Sequence, residues 1–250
     1  MSGHSKWSQI KRQKGVNDAK RGAVFTKMSR EITIAAREGG PDPDGNFRLR
    51  LAMDKARSAN MPTENIKRAI EKASGAGEAE RIEEIVYEGY GPGGVAIMVE
   101  TATDNRNRTA ADIRAMFTKA GGQLVSAGSV AWQFEPRGVV SISRRGQDAE
   151  EVALMAIDAG AEDVDADADP LEIYTASSDL DRVRRALADA GVKVESAELS
   201  MQAKNTIEVD LPRARANLRL IENLEDHDDV LRVTANFEIP DEVLAEAASA

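Results

Sequence analysis

Residues 138–204 read GVVSISRRGQDAEEVALMAIDAGAEDVDADADPLEIYTASSDLDRVRRALADAGVKVESAELSMQAK, and the order of patterns within them decides the fold. Val139 to Ser143 alternates as a strand does. Ala149 to Ala159 repeats its apolar residues at helical spacing, and Glu162 to Ala166 and Leu171 to Ala176 return to strand character. A helix from Asp179 to Ala190 and a strand from Val192 to Met201 follow. Strand-helix-strand-strand-helix-strand is the ferredoxin-like order. Outward on the N-terminal side, strands at Ile85 to Tyr90 and Val95 to Thr101 flank a Gly-rich turn, Thr109 to Ala120 is helical, and Ser129 to Phe134 is a strand. Outward on the other side come a strand at Thr206 to Asp210, a helix at Arg213 to Leu224 and a strand at Val230 to Ile239. The flanks therefore close one α+β unit around another, with residues 138–204 inserted in a discontinuous domain made of 81–137 and 205–240.

Further out, residues 1–80 change period and charge. Phe25, Met28, Ile32 and Ala35 predict an amphipathic helix over Asp18 to Glu38, stopped by Gly39-Gly40. Phe47, Leu51 and Ala52 through Ala56 continue helical spacing after a Pro41-Asp42-Pro43-Asp44 turn. Pro62, Ile66, Ala69, Ile70 and Gly75 give a third helix with start and stop signals. The expected class is thus α+β in three domains: an N-terminal three-helix bundle, then two ferredoxin-like α+β domains, one inside the other.

The first seventy-five residues carry sixteen Lys and Arg against eight Asp and Glu, about +8, on a chain whose formal charge is -10. A basic head on an acidic body points to a polyanion as partner of the head. Cysteine is absent, which excludes disulfides and thiolate chemistry and fits a reducing cytoplasm. No apolar run reaches membrane-spanning length and the opening lacks a secretory core, so no membrane association is expected.

Several motifs fail their context tests. Gly89-Tyr90-Gly91-Pro92-Gly93-Gly94 spells a dinucleotide fingerprint, but the strand Val95 to Val99 follows it where a helix is needed, which makes it a hairpin connection. Asp163, Asp165, Asp167 and Asp169 imitate a calcium loop, yet Pro170 and Ala176 stand where its Gly and Glu belong; an acidic face that discourages edge pairing is the expectation. His4 and His227 lie far apart, and Glu225-Asp226-His227-Asp228-Asp229 reads as a solvated loop. No metal, no cofactor and no enzymatic site are expected.

Thr103-Asp104-Asn105-Arg106-Asn107-Arg108-Thr109 admits two readings. Asp104, Asn105 or Asn107 caps the following helix and the arginines are surface residues, or Arg106 and Arg108 beside a helix N-terminus make a secondary polar contact with phosphate.

Gly3-His4-Ser5-Lys6-Trp7, Ile10-Lys11, Asp18, Arg21-Gly22, Phe25, Asp42-Pro43, Asn65-Ile66, the Gly89 to Gly94 run and the Thr103 to Thr109 run together resemble the YebC/PmpR family. The resemblance extends from residue 3 into the C-terminal part and implies a helical domain followed by two α+β domains. It further implies a DNA-binding transcriptional regulator or, alternatively, a ribosome-associated factor easing stalls at proline-rich stretches; a mitochondrial relative is a translational activator for a cytochrome oxidase subunit. No helix-turn-helix, zinc finger or basic zipper offers an element to read base edges. DNA and ribosomal RNA both remain open as targets.

The residues expected to meet nucleic acid are Lys6, Trp7, Lys11, Arg12, Lys14, Lys20 and Arg21, with Lys27, Arg30, Arg48, Arg50, Lys55, Arg57, Lys67 and Arg68 extending the surface. The cations would neutralise phosphates and Trp7 would stack on a base.

Overall fold

In the computed structural model, residues 18–74 and 82–240 are described, with Glu242, Val243 and Ala245 beyond them. The elements in chain order are α1 (Asp18–Gly39), α2 (Phe47–Ser58), α3 (Thr63–Ser74), β1 (Glu83–Tyr90), β2 (Ala96–Thr103), α4 (Arg106–Lys119) and β3 (Gln123–Val125). Next are β4 (Phe134–Ile142), α5 (Ala149–Asp158), β5 (Asp163–Asp165), β6 (Leu171–Ala176), α6 (Leu180–Asp189), β7 (Val194–Ala203), α7 (Leu211–Asp226) and β8 (Val230–Ala235).

Apolar residues at helical spacing bring the first three helices together. Ile32, Ala35 and Ala36 of α1 meet Leu49, Ala52, Met53 and Ala56 of α2 and Ile66 and Ala69 of α3. Buried Asn46 fixes the α1–α2 corner: its Oδ1 accepts from the Leu49 amide at 3.0 Å, and its Nδ2 donates to the carbonyls of Ala35 and Gly40. One side chain thereby caps the second helix and satisfies the end of the first.

The first sheet has the order β3-β1-β2-β8 and is antiparallel throughout. Helices α4 and α7 cover one face, where Val95, Ile97, Val99, Ile113, Phe117, Leu218 and Ile221 form the core. The second sheet, β5-β6-β4-β7, lies wholly between Phe134 and Ala203, with its Val140, Ile142 and Ile173 packed against Val152 of α5 and Leu180 and Val183 of α6. This unit has the strand order read from residues 138–204. The outer unit reaches the same two layers by a different path, because a hairpin joins its two central strands, β1 and β2, and helix α7 enters only after the insertion.

Three local expectations change. Ser129 to Phe134 and Val139 to Ser143 are not two strands. A 3₁₀ turn at Ala131–Gln133 leads into the single strand β4, which pairs with β7 from Phe134↔Ala203 to Ile142↔Val194. Pro136 suggests a break, but pairing with β6 begins only at Arg137, so the proline sits where one edge of the strand is open. Thr206 to Asp210 contributes one bridge, Ile207↔Phe237, instead of a strand, because Asp210 is committed as the cap of α7, accepting from the Arg213 amide at 2.9 Å. Helix α4 begins at Arg106 and not at Thr109, since Asn105 is its cap and accepts from the Arg108 amide at 3.1 Å.

The helical bundle rests on both sheets. Ile34 packs against Ile82, Ala102 and Leu231 of the first, and Phe47 and Leu51 join the core of the second. Charged residues fill the junction: Lys55 meets Glu31 at 3.0 Å, Arg232 meets Glu198 at 2.8 Å, and Glu100 lines the same cavity of about 310 Å3. Burial pushes the Glu100 carboxyl up despite the nearby Arg232.

Candidate nucleic-acid interface

The loop Thr103 to Thr109, helix α1 and the turn before β8 converge on one carboxylate. Asp229 is buried, with its side chain 2% exposed. Arg30 reaches its Oδ1 at 2.5 Å, while the Thr109 hydroxyl at 2.6 Å and Arg108 at 2.9 Å reach its Oδ2. Arg30 also donates to the carbonyls of Ala102 and Asp228. Burial alone would raise the Asp229 carboxyl; the hydrogen bonds from Thr109, Arg108 and Arg30 outweigh it and hold the group well below the usual carboxylate range. His227 lies beside it, accepting from the Asp229 amide and facing Asp112 at 3.3 Å. Among the described residues no group of three or more His, Cys, Asp or Glu is placed to hold a metal ion.

Beside this hub, α1 and α3 flank a cleft of about 400 Å3. Ser29, Asn65, Arg68 and Lys72 line it, together with Arg30 and Asp104. Arg68 and Lys72 are exposed, and neither makes a side-chain ion pair with another described residue. Two cations with amide and hydroxyl groups around them suit a phosphate oxygen.

The expected contact residues divide sharply. Lys6, Trp7, Lys11, Arg12 and Lys14 lie outside the described residues, and Lys20 and Arg21 fall in the first turn of α1. Lys27 and Arg30 do not extend an outward basic face: Lys27 donates to the Glu225 carbonyl and Arg30 is tied to Asp229. Their positions three apart turn both toward α7 and β8, which the apolar stripe alone did not reveal. Arg48 bridges Glu38 and Glu84, Arg50 lies over the Phe47 ring and 3.8 Å from Asp181, and Lys55 holds Glu31 of α1 and comes within 4.0 Å of Glu198 of β7, so each of the three has a partner outside the bundle. Arg57 and Lys67 remain outward, each in an exposed pair with Asp54 or Glu64 that is worth little and exchanges readily. Arg108 is committed to Asp104 and Asp229, whereas Arg106 is exposed. Asp229 and Lys72 were missed in the sequence; the first sat in a run read as a solvated acidic loop.

The matched regions tile the molecule. A model described as the TACO1/YebC protein N-terminal domain matches residues 5–76, and one described as the TACO1/YebC second and third domain matches residues 82–237. The chain belongs to the TACO1/YebC family. TACO1/YebC relatives include a protein of Rubrobacter xylanophilus, 56% identical across 99% of this chain and all of its own length. Another, from Chloroflexus aurantiacus, is 56% identical over 98% of both chains. A third, from Dehalococcoides mccartyi, is 51% identical over 98% of this chain and 97% of its own. All three carry the name "probable transcriptional regulatory protein". The crystal structure of a conserved hypothetical protein from Aquifex aeolicus has the same architecture, with a TM-score of 0.84 at 45% identity over 89% of this chain and 92% of that one. Among the described residues of this TACO1/YebC chain, no helix is long and apolar enough to cross a membrane.

Proposed function

We propose that this chain is a non-enzymatic, cytoplasmic, nucleic-acid-binding regulator of gene expression that grips phosphates with its N-terminal region. The observation that carries this is the concentration of positive charge in residues 1–75 of an otherwise acidic chain. Lys6, Trp7, Lys11, Arg12, Lys14, Lys20 and Arg21 form the primary contact. Arg68 and Lys72 extend it along the cleft, Arg57 and Lys67 extend it over the outer faces of α2 and α3, and Arg106 stands apart as a secondary contact. The division into 1–80, 81–137 with 205–240, and 138–204 belongs to the same reading: a basic head carried on two acidic units. The names of the relatives favour transcription.

A second reading, an RNA-binding factor at the ribosome, is favoured by the inward commitment of Lys27 and Arg30, which removes two cations from any outward basic stripe of a groove-reading helix. Gradient sedimentation of a lysate, with and without nuclease, separates the two. Co-migration with ribosomes that is lost on joint charge reversal of Lys11, Arg12 and Lys14 supports translation. Absence from ribosomes, with DNA recovered on the protein, supports transcription.

A further inference from the structure

Trp132 stands on the 3₁₀ turn between β3 and β4 with its side chain outward, 68% exposed. Its orientation is built, not incidental. The indole Nε1 donates to the Ser129 carbonyl at 3.1 Å, and Tyr90 reaches the same oxygen at 3.4 Å. Beneath the loop lies Glu88, itself only 5% exposed, whose carboxylate accepts from the amides of Gly128 and Val130 at 2.6 Å each and of Ala131 at 3.0 Å. Burial would raise that carboxyl; the backbone donors reverse the direction and hold it charged. A buried anion with three amide partners rigidifies a loop of about a half-dozen residues, so little ordering entropy is left to lose when the ring meets a ligand.

The surroundings define the ligand. Lys204, just past β7, donates from Nζ to the Trp132 carbonyl at 2.9 Å, and its amide donates to the Gln133 carbonyl at 2.8 Å. Among the described residues no carboxylate forms an ion pair with Lys204, although Glu135, Asp163 and Asp165 line the same cleft, so the ammonium is held at the Trp132 backbone by a hydrogen bond and is open to a further anion. Asn236 donates to Gln133 on the other side. The ring's own hydrogen bond goes to Ser129, and Lys204 is held at the Trp132 backbone. A protein hot spot is ringed by contacts that exclude water, whereas an exposed aromatic ring with an ammonium free of ion pairs at its own backbone matches a base with its phosphate.

We infer that Trp132 is a second stacking platform, taking an unpaired base of single-stranded RNA while Lys204 takes the adjoining phosphate. The inference rests on the nucleic-acid reading of the head and adds a contact far from it in sequence.

The chain has two tryptophans, so the full-length protein labelled with 5-fluorotryptophan gives two fluorine resonances, assigned with W7F and W132F. Each is followed while a uridylate dodecamer, or a blunt RNA duplex of the same length, is added, with binding read separately by anisotropy. The Trp132 resonance is expected to move with the single strand, in step with anisotropy, and to stay in place with the duplex. Trp132→Ala is expected to weaken single-strand binding about ten-fold at unchanged melting temperature. Trp132→Phe restores most of it and Lys204→Glu weakens it. Binding by anisotropy with a stationary Trp132 resonance, or with undiminished affinity in Trp132→Ala, overturns the platform and leaves the head intact. Flat anisotropy of the parent with both RNAs overturns RNA binding by the head and the platform with it.

Discussion

Asp229 shows how much one carboxylate decides. It lies in an acidic run that composition alone assigns to solvent, yet it takes two arginines and two threonines from two other segments of the chain. Asp229→Asn is expected to cost about 3 kcal/mol, because Arg30 is left facing a neutral amide in a largely buried site. Urea unfolding of the variant beside the parent at pH 7 checks it. The pH dependence has a definite sign. The folded-state carboxyl is depressed, so its stabilisation is complete above the unfolded value of about 3.9 and is lost as pH falls from there through the folded value. Parent and Asp229→Asn should therefore converge in stability on acidification, and a gap of constant size between pH 7 and pH 3 would contradict the assignment. Glu100 runs the other way. Its carboxyl is raised by burial, so folding favours its protonated form and stability declines as pH rises from the unfolded value toward the folded one. Glu100→Gln is expected to match or exceed the parent in melting temperature at pH 7.

At the level of elements, the Gly89 to Gly94 run illustrates what a motif means once its partners are known. The hairpin closes through Gly91 N–H to the Val95 carbonyl at 2.8 Å, and Asn217 of α7 donates to the Pro92 carbonyl at 2.8 Å. A methyl group on Gly91 would collide with the Asn217 Oδ1, so Gly91→Ala is expected to destabilise by about 2 kcal/mol in thermal unfolding. The three helices of the bundle and the strand order of the inserted unit were legible because apolar period and stop signals agreed there: Asp18 to Glu38 was expected and Asp18–Gly39 is found. Strand β4 was not legible, because Pro136 and Gly138 are local breakers whose tolerance depends on which edge is paired. The basic surface was half legible. A Lys or Arg at helical spacing announces its charge, but which carboxylate it faces is set by elements far along the chain, as Arg30 and Arg48 show.

For the whole molecule, the division between structural and outward cations yields a discriminating test. Joint reversal of Arg68 and Lys72 to Glu is expected to weaken nucleic-acid binding and leave melting nearly unchanged, since both are exposed and without ion pairs among the described residues. Lys55→Glu should instead lower the melting temperature, because Lys55 holds Glu31 at the junction. If about six phosphates are neutralised, log affinity should fall against log salt with a slope of roughly -4 to -5, and a flat response would remove the basic head from the mechanism. The long β4–β7 ribbon bears on how the chain reaches this state at all. Strand β8 completes the first sheet by pairing with β2, yet the whole second sheet is synthesised between them. Zipping β4 to β7 from Ile142↔Val194 to Phe134↔Ala203 brings the two halves of the outer unit side by side and shortens the loop that β8 must close. The inserted unit is thus expected to act as a folding clamp for the unit that surrounds it, so that variants weakening the ribbon slow refolding of the first sheet more than they weaken its core.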